Sequence, residues 1–156
     1  MKNVRLLGTT ALIVLLPVTA LSACAPPSPE VVAGKFVDAM NSHDVDGGLA
    51  LFADDSVLEF PGQGPYTGKA DVRRGLESLA ADGLAIRVES TSTEDGTVTQ
   101  SAAISTDSWK AMGISNLGAT SRMQVEGGRV QRLQISLTEA SARALQAAIW
   151  KSAEAT

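Results

Sequence analysis

Lys35-Phe36-Val37-Asp38-Ala39-Met40-Asn41-Ser42-His43-Asp44-Val45-Asp46-Gly47, continuing through Leu49-Ala50-Leu51-Phe52-Ala53-Asp54-Asp55, is the stretch on which the fold turns. Just upstream, Ser28-Pro29-Glu30 has the chemistry of a helix start. Ser is an N-cap, Pro suits the first position because no amide hydrogen is needed there, and Glu complements the positive end of the helix dipole. Val32, Ala33, Phe36, Val37 and Met40 recur at three- and four-residue intervals, which predicts an amphipathic helix ending near Asn41. Asp44 can cap a second, short helix with Leu49, Leu51 and Phe52 as its apolar positions, and Asp54-Asp55 is expected to stop it.

Moving toward the C-terminus, Ser56-Val57-Leu58-Glu59-Phe60 reads as a short strand and Pro61-Gly62-Gln63-Gly64-Pro65 as a loop. Lys69 to Ala80 predicts a third helix with Val72, Leu76 and Leu79 on one face. The character then changes. Ala85–Thr93, Thr97–Lys110, Ala119–Glu126 and Arg129–Leu137 are rich in Val, Ile, Thr and Ser and partly alternate, as strands do. Glu94-Asp95-Gly96 and Gly127-Gly128 supply tight turns, so successive strands pair antiparallel. Helices first and sheet after give an α+β fold. Thr138-Glu139 opens a last helix, with Leu145, Ala148 and Ile149 as its apolar positions.

The other end of the chain has a different purpose. Lys2 and Arg5 precede Leu6 to Leu21, an uncharged apolar run centred on Leu12-Ile13-Val14-Leu15-Leu16. A short positive segment followed by such a run is the layout of a secretory signal. The run barely reaches the 17–25 apolar residues that span a bilayer, and Pro17 interrupts it. Leu21-Ser22-Ala23-Cys24 resembles the bacterial lipobox: an aliphatic residue, two small residues that fit a peptidase cleft, and a cysteine whose thiol takes the diacylglyceryl group. That resemblance implies a signal peptide over 1–23 and a membrane anchor at Cys24 carrying several acyl chains such as palmitate. More than one chain is what makes such anchoring stable. Ala25-Pro26-Pro27-Ser28-Pro29 follows, a stiff extended spacer expected to lift a domain off the membrane. Residues 24–29 are thus the lipidated cysteine and spacer, 30–137 the domain, and 138–156 the C-terminal helix and tail. The implied location is the cell envelope, outside the cytoplasm, on the cell membrane or on an outer membrane where the cell has one.

Charge and residue counts exclude several functions. The 156 residues carry 13 basic and 17 acidic side chains, net −4. Without Lys2 and Arg5, 11 basic side chains face 17 acidic ones, net −6. An acidic domain gains nothing from the counterion release that drives phosphate-backbone binding, so nucleic acid is not an expected partner. One cysteine and one histidine, Cys24 and His43, leave no disulfide, no thiolate metal site and no multi-histidine metal site within the chain. No metal and no cofactor is expected.

The stretch quoted first, with Tyr66-Thr67-Gly68-Lys69 opening the third helix, resembles the nuclear-transport-factor-2-like superfamily in its SnoaL-like branch, over most of residues 30–137. The resemblance implies a cone, a curved antiparallel sheet wrapped round the first helix with an apolar pocket inside, here with an extra C-terminal helix. It also implies a homodimer through the outer sheet face. Within the superfamily the pattern is similar to ketosteroid isomerase, whose chemistry uses an Asp base, a Tyr and a protonated Asp as oxyanion donors. Phe36 stands at the Tyr position, Phe60 at the base position and Ser121 near the second Asp. Phenylalanine neither accepts a proton nor donates a hydrogen bond.

No catalytic residue is therefore assigned. The expected role is binding a small apolar ligand or a protein partner without catalysis. Val32, Phe36, Met40, Phe52, Leu58, Phe60, Trp109 and Met123 are the candidate pocket lining, each equally at home in a packed core. The rival is an isomerase, cyclase or hydratase drawing on Asp38, His43, Glu59 and Tyr66. Against it, His43 sits in a turn, and the period of two along a strand sends Glu59 to the face opposite Phe60. Trp109 reads as a strand residue, in sheet core or pocket wall. Trp150 is expected to pack on the sheet or on a partner chain.

Overall fold

Helix α1 spans Pro29–Asn41 and buries Val32, Ala33, Phe36, Ala39 and Met40 along one side. This is the stripe that the spacing predicts. The computed structural model describes residues 25–154, and everything expected of the signal segment and of Cys24 lies outside them. A short α2, Val45–Ala50, follows, capped as anticipated by the Asp44 carboxylate, which accepts from the Gly47 amide at 2.9 Å. The chain continues through β1 (Phe52–Glu59), β2 (Tyr66–Thr67), α3 (Lys69–Ala81), β3 (Ala85–Glu94), β4 (Thr97–Ser105), α4 (Asp107–Ala111), β5 (Leu117–Glu126), β6 (Arg129–Leu137) and α5 (Glu139–Glu154).

The strands form one curved, unclosed six-stranded sheet in the order β2-β1-β6-β5-β4-β3. The fold is α+β, but the sheet is mixed rather than antiparallel throughout, because β1 runs parallel to β6. Parallel neighbours need a long crossover, and here everything from β2 to β5 lies between them. The hairpins β3–β4 and β5–β6 turn at the same end, where the Val125 amide donates to the Gly96 carbonyl at 3.0 Å. Helix α1 lies against the inner faces of β3, β4 and β5. At its C-terminal end the Asn41 side chain takes both backbone groups of Ile86, accepting from N at 2.7 Å and donating to O at 2.9 Å. At its N-terminal end the Glu30 carboxyl is held below its ordinary value, chiefly by a hydrogen bond from the Thr93 hydroxyl.

Two elements depart from the sequence reading. Phe52 belongs to β1 and not to the second helix: it sits beside Val130, fully buried, and the Val130 amide donates to the Leu51 carbonyl at 2.8 Å. Pairing with a strand nearly eighty residues away overrides a local apolar spacing that suits a helix. Likewise Thr97–Lys110 is not one strand. β4 ends at Ser105, and Thr106 caps α4, its hydroxyl accepting from the Trp109 amide at 3.3 Å. Asp82, at the end of α3, completes the junction. Its carboxylate accepts from the Ser108 amide at 2.9 Å and the Ser108 hydroxyl at 2.6 Å, while its carbonyl accepts from the Asp107 amide at 2.7 Å.

Burial raises the Asp82 pKa, but the hydrogen bonds from Ser108 and Thr106 and the charge of Lys110 outweigh it, so the net shift is below 3.8. A carboxyl depressed on folding contributes stability above its unfolded pKa and loses it as pH falls through the lower folded value. Asp82→Asn is therefore expected to cost on the order of 1 kcal/mol at pH 7. Urea midpoints of the two proteins measured down the pH scale should converge below about pH 4. A gap unchanged at pH 3 would show that the carboxylate charge is not what holds α4.

Candidate functional site

Alternation along the strands sends one row of side chains from each into the cone. Gln100, Ala102 and Ile104 come from β4, Ala119, Ser121 and Met123 from β5, Leu133 and Ile135 from β6, and Ile86 from β3. Registry brings the rows side by side: Gln100 pairs with Ser121, Ala102 with Ala119, and Met123 with Leu133. Phe36 and Val37 of α1 close the space from the other side. What remains between them is a cavity of about 20 Å³. That is room for about one water, against the 300–1,000 Å³ typical of a ligand pocket.

Polar groups in the cavity wall are limited to Gln100 and Ser121. The Gln100 amide donates to the Thr91 hydroxyl at 3.4 Å, and both side chains are neutral. They can orient a water or a small dipole but cannot exchange a proton near neutral pH. The four candidate acid–base residues are dispersed instead of converging. Asp38 lies in an open groove between α1 and β3. His43 is exposed, in the turn after α1 at φ 56°. Glu59 lies on the outer sheet face, paired with Arg132 and accepting from the Gln134 amide at 3.0 Å. Tyr66 donates to the Gln63 side chain, and its ring packs on Gly75 of α3. Among the described residues no group of three His, Cys, Asp or Glu side chains could hold a metal ion.

Of the eight residues read as candidate lining, Phe36 and Met123 stand in the cavity wall. Val32, Met40, Phe52 and Leu58 are buried in the surrounding core instead, with the Phe36 ring meeting Phe52 edge-on at 5.9 Å. Phe60 and Trp109 are likewise outside the cavity wall. They stack on each other at 6.2 Å and 13°. Trp109 reaches that stack from α4 and not from a strand, so its expected position is corrected. Gln100 and Ile104 were missed as lining. Their alternation was legible, but which rows meet across strands depends on registry.

The outer sheet face, where a dimer contact is implied by the resemblance, is hydroxyl- and amide-rich: Thr97 beside Gln124, Thr99 beside Arg122, Thr120 beside Ser136. The apolar surface lies elsewhere. Helix α5 is docked by its first turn, where Ser141 accepts from the Gly118 amide at 2.8 Å. Farther along, Ile149 is 52% and Trp150 65% exposed, so of the two expected placements, sheet or partner chain, Trp150 does not take the sheet.

A family model described as SnoaL-like domain matches residues 33–133, and the chain belongs to that family. No curated relative matches the sequence. Solved structures do. The epoxide hydrolase/cyclase-like enzyme SalBIII, of pyran ring formation in the polyether salinomycin, superposes with a TM-score of 0.64 at 14% identity, over 72% of this chain and 92% of its own. An epoxide hydrolase of M. tuberculosis, described as LEH-like, superposes at 0.61 and 15%, over 82% and 96%. An NTF2-like protein of unknown function from Cytophaga hutchinsonii does so at 0.60 and 14%, over 71% and 90%. At such identities the likeness establishes the fold alone.

A cone this full has a measurable consequence. Met123→Ala should cost about 2–5 kcal/mol and leave a dry apolar void beside Phe36 and Leu133. Benzene should then raise the melting temperature of the variant in a concentration-dependent way and leave the native protein unmoved. A comparable rise in the native protein would mean that its interior opens readily to apolar molecules.

Proposed function

We propose that this chain is a membrane-anchored extracytoplasmic lipoprotein whose SnoaL-like domain is a non-catalytic binding module, engaging a protein partner through its surface. The observation that carries this reading is the interior: a cavity of about 20 Å³ whose walls hold no carboxylate, histidine or tyrosine. A reaction of the isomerase, cyclase or hydratase kind needs a proton acceptor and a donor within reach of one bound molecule. Neither the space nor the groups are present together. The enzymatic names of SalBIII and of the M. tuberculosis hydrolase speak for the rival reading, but they come with the fold, which hosts many functions. Phe36 and Ser121, at two of the positions where ketosteroid isomerase carries its oxyanion donors, belong to the same packed interior. The lipobox Leu21-Ser22-Ala23-Cys24 supports the anchor. Among the described residues no helix is long and apolar enough to cross a membrane.

Two measurements test the two halves. Full-length protein made in a bacterial host should fractionate with membranes and begin at an acylated Cys24, and Cys24→Ser should abolish the lipid mass. For the domain, residues 25–156 purified gently should show the same mass under native and denaturing ionisation, apart from oligomer formation. A reproducible extra mass that denaturation removes would restore the reading of a small apolar ligand inside the cone.

A further inference from the structure

The spacer does not stand clear of the domain. Pro26 and Pro27 lie on the β5–β6 turn, directly over Gly128. A Cβ placed on Gly128 would come within 2.7 Å of Pro27 Cδ and 3.2 Å of Pro26 Cβ. Gly128 has φ 75°, so the left-handed turn and the proline contact both require glycine there. A few residues on, Ser28 accepts from the Val32 amide at 3.1 Å and α1 begins. Between the docked prolines and Cys24 only Ala25 intervenes. Two residue steps span at most about 7 Å even when fully extended. An attachment at Cys24 is therefore close to one particular end of the sheet.

That end is the one where both hairpins turn. The Gly96 carbonyl and Val125 amide join the β3–β4 turn to the β5–β6 turn. The opposite end holds the start of β5 at Leu117, paired with Ile104, and the end of β6 at Leu137, paired with Ala119. The ten residues of β5 separate the two poles by about 30 Å. The near pole presents Glu94, Asp95 and Glu126 with Arg129, all exposed, and no large apolar side chain in its turns. The turns themselves offer a bilayer no large apolar side chain, and Val31 on the first turn of α1 is the one half-exposed large apolar residue near them. Such a surface suits a domain held at the membrane by a short tether and not by penetration.

We infer that the Pro26–Pro27 dock on Gly128 is an orienting collar: it holds the anchored domain upright, hairpin turns toward the lipid surface and the Leu117 end, from which α5 departs, away from it. The inference rests on the lipid anchor proposed above. With the prolines docked, the domain cannot swing freely on its spacer, and the two poles have fixed, different heights above the bilayer.

The test uses the full-length chain, processed and lipidated in a bacterial host and reconstituted into phosphatidylcholine vesicles carrying a headgroup acceptor dye. Cys24 is the only cysteine, and acylation consumes its thiol, so one added cysteine is the only free one. Glu126→Cys labels the near pole and Asn116→Cys the far pole, both at exposed positions. Energy transfer to the acceptor should be several-fold stronger from position 126 than from position 116. In a Pro26→Ser, Pro27→Ser background, with an unchanged circular dichroism spectrum, the two efficiencies should approach each other. Equal transfer from both positions in the native background would overturn the inference, as would a pole difference that the proline replacements leave intact. A chain that does not float with the vesicles at all defeats the anchor itself, and the inference with it. Flotation separates the two failures.

Discussion

The arched sheet has one face that must be covered: α1 packs on β3, β4 and β5, and α3 on β1 and β2. Strands β4, β5 and β6 turn apolar rows inward, β3 adds Ile86, and α1 offers the matching stripe of Val32, Phe36 and Met40. Burying one such side chain is worth roughly 1.5–3 kcal/mol. The seat of α1 is fixed at both ends by polar devices that cost little to make. Asn41 supplies both hydrogen bonds that the Ile86 backbone lacks on its open edge. At the other end the Glu30 carboxylate meets Thr93. With the helix placed, Phe36 occupies the middle of the cone, and the remaining void is too small for anything but water.

Much of this was legible. Local signals were enough wherever a boundary is set by local chemistry. Ser28-Pro29-Glu30 marks the start of α1, Asp44 caps α2, and Gly127-Gly128 marks the turn that opens β6 at Arg129. Where distant residues decide, the sequence misleads. Leu49 and Phe52 have helical spacing, yet β6 claims Phe52 for the sheet. Thr106-Asp107-Ser108 reads as strand until Asp82 arrives from α3 to bind the Ser108 amide. The parallel pairing of β1 with β6 had no local trace at all. Core and pocket wall have the same composition, so Val32 and Phe36 could not be told apart before registry placed the rows around them.

Filling the cone relocates the question of function. In this family architecture the chemistry of an internal site depends on two things, empty space and ionisable groups facing it. Phenylalanine withholds a proton at either position, Phe36 or Phe60, and Phe36 stands in the wall of the small cavity. The stacked pair of Phe60 and Trp109 plugs the region beside β1 in the same sense.

The surfaces outside the cone are unequal. The outer sheet face presents short hydroxyl and amide side chains along its ladders, with Glu59 neutralising Arg132. Short hydroxyl side chains make poor anchors for a partner. Helix α5 is built differently. Its first turn seats on the start of β5, where Ser141 accepts from the Gly118 amide. Beyond Leu145 no comparable seat exists, and Ile149 and Trp150 remain in water. An exposed tryptophan on a helix rooted so firmly at one end is costly in solubility and contributes nothing to the core. Of all the side chains on the outside of the domain, it is the one whose burial by a partner would release the most free energy.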